Sequence, residues 1–173
     1  MEASPALRAR QRTALGDHPV AWIDRISDLP DAPLFLLANE FFDALPIRQF
    51  TRVGSAWAET VVGLRGGALT LGRADPAPLA LLAHRLADTH EGDVVEICPA
   101  AAPIAAHIGG VIAARGGVAL IVDYGGWQSR GDTFQAVRAH AFADPMAAPG
   151  EADLTAHVDF AALSRAANPA VHA

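Results

Sequence analysis

Two short runs constrain this chain more than any other feature. Residues 33–39 read PLFLLAN and residues 118–122 read VALIV, and both stop abruptly at polar residues. A strand with one face in water alternates apolar and polar side chains. Runs without alternation predict strands buried on both faces, the environment of a parallel sheet covered by helices.

The flanking sequence supplies the rest of such a fold. Ser4-Pro5 reads as an N-cap and first helical position, Leu7, Ala14 and Leu15 share a helix face, and Gly16 is a stop. VAWI at 20–23 predicts a short strand and LPDAP a turn. IRQFTRV, WAETVVGL and ALTLGR are β-rich runs broken by GS and RGG, the pattern of antiparallel hairpins. Pro78 opens a helix marked by Leu79, Leu82, Ala83 and Leu86. DVVEI predicts another strand. Ile104, Ile108, Val111 and Ile112 mark a further helix, weakened by Gly109 and Gly110. The tail closes on a short helix that Asp159 caps. Strands alternating with helices predict an α/β sheet with right-handed crossovers, its core in 1–46 and 74–173, with 47–73 an inserted antiparallel meander.

Bulk properties narrow the function. The 173 residues suit one domain, and an apolar half suffices for a core. The net charge of −6, with scattered basic residues, argues against a nucleic-acid partner, which selects a positive stripe. Cys98 is the single cysteine, so no disulfide framework forms within the chain, and a reducing, cytoplasmic setting is expected. No apolar run approaches the roughly 20 residues that span a bilayer, so no membrane partner is expected.

Chemistry is expected where the apolar strands end, because open parallel sheets bind ligands beyond their carboxyl ends. The first run meets Asn39 and Glu40, then Phe41, Phe42 and Asp43. The second meets Asp123 and Tyr124. Glu2 precedes the first helix as a third rim acid, and Glu96 lies inside DVVEICP. One such acid is most simply a helix cap. The set Glu2, Glu40 and Asp123 at one rim points to binding of hydroxyls or of a guanidinium, which a carboxylate grips bidentately. Two adjacent large rings should not both enter one side of a core, so one of Phe41 and Phe42 is expected to wall a pocket. Asp153, His157 and Asp159 are better explained as a loop network and a cap than as metal ligands, so no metal is expected. His140 reads as structural or surface-exposed, and Cys98 as a small buried filler. A glycine-rich turn after the first strand, which a nucleotide-type domain needs, is absent from this chain.

ANEFFDALPIRQF, VVEICPAAAPI, GGVALIVDYG, DTFQAVRAH and PGEADLTAHVDF, in that order, closely resemble the MidA-like family, which includes the mitochondrial complex I assembly protein that methylates arginine. The resemblance implies a class I, Rossmann-like methyltransferase fold using S-adenosyl-L-methionine to methylate a protein arginine, in eukaryotic relatives on a complex I subunit in the mitochondrial matrix. It implies that Glu2, the second-strand acid, binds the cofactor ribose, with Asp24 and Asn39 nearby. Glu40 and Asp43 would hold the acceptor guanidinium, with Phe41, Phe42, Asp123 and Tyr124 shaping its pocket. It also implies that the first strand and its glycine loop lie outside this chain, so that the chain is a fragment with an impaired cofactor site. The alternative is a non-catalytic assembly chaperone that keeps the fold and docks a partner.

Overall fold

A computed structural model describes residues 1–2 and 4–168. Helix α1 (Pro5–Leu15) starts as the sequence predicts: the Ser4 hydroxyl accepts a hydrogen bond from the Leu7 amide, and Gly16 closes it with a positive φ of 55°. Residues 20–23 form no strand. Trp22 instead lies against α1, donating to Gln11 Oε1 at 2.7 Å under the Arg12 guanidinium, so the ring is used for packing and no ladder forms.

The two apolar runs become β1 (Leu34–Asn39) and β6 (Gly117–Val122), paired in parallel with Leu34 opposite Gly117 and Asn39 opposite Val122. Gly117 is obligatory there: a Cβ at that position would sit 1.9 Å from the Leu34 carbonyl oxygen. The expectation of burial on both faces is corrected. Leu34, Leu36, Ala38, Ala119 and Ile121 pack inward, whereas Phe35 (80% exposed), Leu37 (72%), Val118, Leu120 and Val122 face outward. Residue pattern shows what a face is able to cover, not whether a second layer is present to cover it.

The inward face meets α2 (Ala101–Arg115) and α3 (Phe160–Ala167), forming a core around Phe42, Ala101, Ala105, Ile108, Val158 and Leu163. α3 has the predicted cap, since Asp159 Oδ1 accepts from the Ala162 amide at 2.8 Å. α2 and α3 touch at Gly109, where an added Cβ would lie 2.2 Å from the Ala167 carbonyl oxygen; at Gly110 it would meet nothing within 4 Å. The two glycines therefore have opposite expected effects. Gly109→Ala should lower stability by about 1–3 kcal/mol through overpacking. Gly110→Ala should raise it by about 0.5–1 kcal/mol through helix propensity. Denaturant midpoints of the two variants check this, and equal signs would refute the packing described.

The meander region forms an antiparallel sheet of β2 (Arg48–Val53), β3 (Ala56–Arg65) and β4 (Ala68–Arg73). Segment DVVEI is a strand, β5 (Val94–Ile97). It pairs antiparallel with β2 and stands outside the parallel pair, so its place in the expected strand–helix alternation is corrected. The cause is packing: Val95 joins Phe50, Trp57 and Leu82 in a second core. The helix expected after Pro78 spans Ala80–Ala87 in 3₁₀ turns, whose three-residue repeat places Leu82 and Arg85 on one buried face.

The tail holds strands the sequence does not announce. β8 (Gln135–Arg138) pairs with β9 (Ala141–Ala143) and β10 (Asp153–Thr155), while β7 (Gly125–Gly126) pairs in parallel with β11 (Val158–Asp159). The β8–β9 hairpin turns through Ala139 and His140, both left-handed at φ 49° and 64°. That is the conformation of a two-residue hairpin turn, built without the Asn-Gly that normally signals it.

Candidate active site

Parallel pairing brings the two strand ends to one rim. The ladder extends one bond past β1, with the Glu40 amide donating to the Val122 carbonyl at 2.9 Å. Glu40 then turns left-handed, φ 48°, a conformation uncommon for a residue with a side chain and one that often marks functional sites. The kink throws residues 41–45 into a tight turn across the end of β6. There the Phe42 amide donates to Asp123 Oδ2 at 3.1 Å, and the Tyr124 hydroxyl donates to Glu40 Oε1 at 3.1 Å. Segment 156–158 clamps both sides of this rim, its Ala156 amide on the Asp43 carbonyl (3.0 Å) and its Val158 amide on the Tyr124 carbonyl (2.8 Å). Nothing in the sequence marks these backbone clamps, because main-chain bonding has no residue signature.

Glu40, Asp43, Asp123 and Tyr124 are thus one cluster. Glu40 and Tyr124 are exposed, while Asp43 is buried at 4% exposure. Asp43 Oδ1 and Asp123 Oδ1 are both buried without a hydrogen-bond partner among the described residues. Two carboxylates in contact cannot both ionise freely. Burial, reinforced by the charge of Asp123, its hydrogen bond and the charge of Glu40, pushes Asp43 from 3.8 up to about 6. A proton on Asp43 lets it donate to Asp123, which satisfies the pair. The Tyr124 hydroxyl is pushed up by its bond to Glu40 and by the carboxylate charge.

Because the folded state raises the pKa of Asp43, it binds protons more tightly than the unfolded chain. The resulting stabilisation is fully present below the ordinary carboxylate value and is lost as pH rises through about 6. Stability should therefore fall by up to about 3 kcal/mol on this account between about pH 4 and pH 7. Asp43→Asn, which keeps a donor facing Asp123, should flatten that slope. Urea unfolding of both proteins across this range checks it, and parallel slopes would contradict it.

The premise that two adjacent rings cannot enter one side of a core is corrected, while Phe42 lines a cleft as well as the core. Phe42 is in the core and Phe41 packs against the same cluster, ring centroids 5.1 Å apart and perpendicular. Strand alternation would separate adjacent rings, but residues 41 and 42 lie in the turn, where alternation does not operate. Asn39 stands exposed at the end of β1.

Glu2 and Asp24 belong to a different group. Glu2 Oε1 accepts from the Ser4 amide at 2.9 Å and Oε2 from Gln11 at 3.3 Å. Arg8 ties the Glu2 carbonyl to an ion pair with Asp24. No hydrogen bond or ion pair among the described residues joins this group to the strand-end carboxylates. Glu96 is a structural hub, accepting from Gln49, Thr133 and the Phe134 amide. Asp159 divides its carboxylate between the α3 cap and the Ser129 amide. Cys98 packs against the main core, and burial pushes its thiol up. His140 is exposed in the β8–β9 turn.

Residues 1–173 match the family of S-adenosyl-L-methionine-dependent methyltransferases. The chain is 40% identical over 149 residues to the mitochondrial protein arginine methyltransferase NDUFAF7 of Xenopus tropicalis, covering 85% of this chain and 35% of that protein. It is 39% identical over 150 residues to the human protein of the same name, covering 86% and 34%. A crystal structure from Burkholderia thailandensis bound to S-adenosyl-homocysteine superposes with a TM-score of 0.77 at 31% identity, over 96% of this chain and 46% of that one. The chain therefore spans about a third of the length of the curated relatives it matches. Its fold, a parallel pair flanked by helices and antiparallel sheets, is class I methyltransferase-like. The family match along the whole chain places it in the MidA-like family of S-adenosyl-L-methionine-dependent methyltransferases.

Proposed function

We propose that this chain carries the acceptor-binding side of a protein arginine methyltransferase. The observation that supports it is the cluster of Glu40, Asp43 and Asp123 at one strand rim, joined to Tyr124. Three acids at one rim attract a cation, and a planar guanidinium matches a carboxylate with two parallel bonds. Glu40, exposed and oriented by the Tyr124 hydroxyl, is the carboxylate that meets it. Asp43 and Asp123 lie beneath, fixing the turn through the Phe42 amide and lending negative charge.

The cofactor's residues fit in part. Glu2 accepts two hydrogen bonds, which leaves lone pairs on an ionised carboxylate for ribose hydroxyls, and Asn39 is exposed at the strand end. Asp24, mostly exposed beside Arg8, is a weaker third candidate. S-adenosyl-L-methionine, when bound, supplies an electrophilic methyl group. The chain's own contribution is positioning: it fixes one guanidinium nitrogen in line and compensates the cation's charge. The proton released on transfer has an acceptor in Glu40, with Asp43 next to it. A respiratory complex I subunit as the acceptor rests on the family resemblance alone.

Incubating the natural full-length protein with labelled S-adenosyl-L-methionine and its cellular proteome, followed by hydrolysis, tests this. Label recovered as methylarginine supports the reading. Cofactor binding with label only in other residues would refute the acceptor, and partner binding without any transfer would favour a docking role.

A further inference from the structure

A cleft lined in part by Phe42 lies apart from the strand-end acids. This cleft of about 370 Å³ is walled from five segments: the start of β2, the 3₁₀ helix, the β5–α2 junction, loop 156–157 and α3. Its walls are mainly apolar, with Leu82, Ile97, Ala102, Val158 and Leu163 among them, and it includes none of Glu40, Asp43 or Asp123. Closure from five sides suits a small ligand better than the flat surface of a folded partner.

The polar groups at this cleft are unequally occupied. Its acids are spent: Glu96 on three neighbours, Asp159 on two backbone amides. Two of its arginines are also paired, Arg48 with Glu59 at 2.7 Å and Arg85 with Asp88 at 3.0 Å. His84, His157 and Arg165 line it from exposed positions, and their side chains take no part in a hydrogen bond or ion pair among the described residues. Each open group has a donor to offer, the imidazoles through one ring nitrogen, and Arg165 is a permanent cation. An apolar pouch with unoccupied donors at its mouth is complementary to an apolar tail with an acceptor head.

We propose that this cleft binds a single-chain anionic amphiphile, an unbranched apolar tail ending in a carboxylate, whose head is held by Arg165 with His84 and His157. The proposal does not use the methyl-transfer reading: the cleft shares Phe42 and segment 156–158 with the rim but none of Glu40, Asp43, Asp123 or Tyr124.

Calorimetric titration of the full chain with decanoate, decanol and decylamine, each below its micellar concentration, tests this. Decanoate should bind about tenfold more tightly than decanol, and decylamine more weakly still, because only the carboxylate gains charge-assisted bonds. Ala162→Trp, which fills the cleft, and Arg165→Glu, which reverses its mouth, should each weaken decanoate by about tenfold or more. Ala102→Trp obstructs the cleft from α2 and serves if Ala162→Trp does not fold. Leu37→Ser, on the bare face of the parallel pair, should leave decanoate affinity unchanged. No decanoate binding, equal binding of the three head groups, unchanged binding in the obstructed variants, or loss of binding in Leu37→Ser would each overturn the proposal.

Discussion

Glu40→Gln in the natural full-length protein should lower kcat/KM for methyl transfer by about a hundredfold or more, the scale seen when a preorganised charged group is removed from a reacting centre. The substitution preserves shape and keeps an acceptor for the Tyr124 hydroxyl, which bonds Glu40 Oε1 at 3.1 Å. What disappears is the charge and, on the proposed reading, the second guanidinium bond. Tyr124→Phe should cost less, roughly tenfold, because it releases Glu40's orientation and leaves its charge. Asp43→Asn should act mainly through acid sensitivity. In the parent, attraction for a cationic acceptor weakens as pH falls through about 6 and Asp43 takes up its proton, so KM should rise there. In the variant that step should vanish. Steady-state kinetics across pH checks all three. An unchanged rate and acceptor affinity in Glu40→Gln would remove Glu40 from the mechanism.

Phe42→Ala should cost about 3–5 kcal/mol of stability, enough to unfold a marginal domain. Phe42 is 2% exposed and sits where β1's end, α2, α3 and β11 meet. Its ring is held by Phe41 edge-on and its amide by Asp123, so truncation opens a cavity at a point already fixed on both sides. Phe41→Ala should cost less, since Phe41 is only half-buried. Thermal and denaturant unfolding of the two variants checks the ranking. The reverse order would mean that Phe41 is the anchoring ring.

These residues also show what a sequence discloses. The strand runs at 34–39 and 117–122 were legible because a short apolar run bounded by turn residues is too brief for a buried helix and suits a strand. So were the Ser4 and Asp159 caps, because a cap uses local chemistry. The convergence of Glu40, Asp43, Asp123 and Tyr124 followed from parallel pairing, which carries the ends of both strands to one rim. The partner of β5 was not legible, because choosing β2 is a long-range packing decision made by Val95 and Phe50. The β8–β9 hairpin was hidden because Ala139 and His140 occupy positions that glycine or asparagine usually fills. The proton-sharing arrangement of Asp43 and Asp123 depends on burial of Asp43, and no local pattern around DALP reveals that.

The kink at Glu40 draws these observations together. It ends the strand, aims a carboxylate outward under the control of Tyr124, and buries Asp43 against Asp123 one turn later. On the proposed function, this kinked rim receives a guanidinium. A crystal structure of the natural full-length protein with S-adenosyl-homocysteine and an arginine-bearing peptide tests it most directly. A guanidinium nitrogen should lie within hydrogen-bonding distance of Glu40, on the side facing the cofactor's sulfur. A peptide arginine seated elsewhere, with Glu40 in contact only with Tyr124 and solvent, would contradict it.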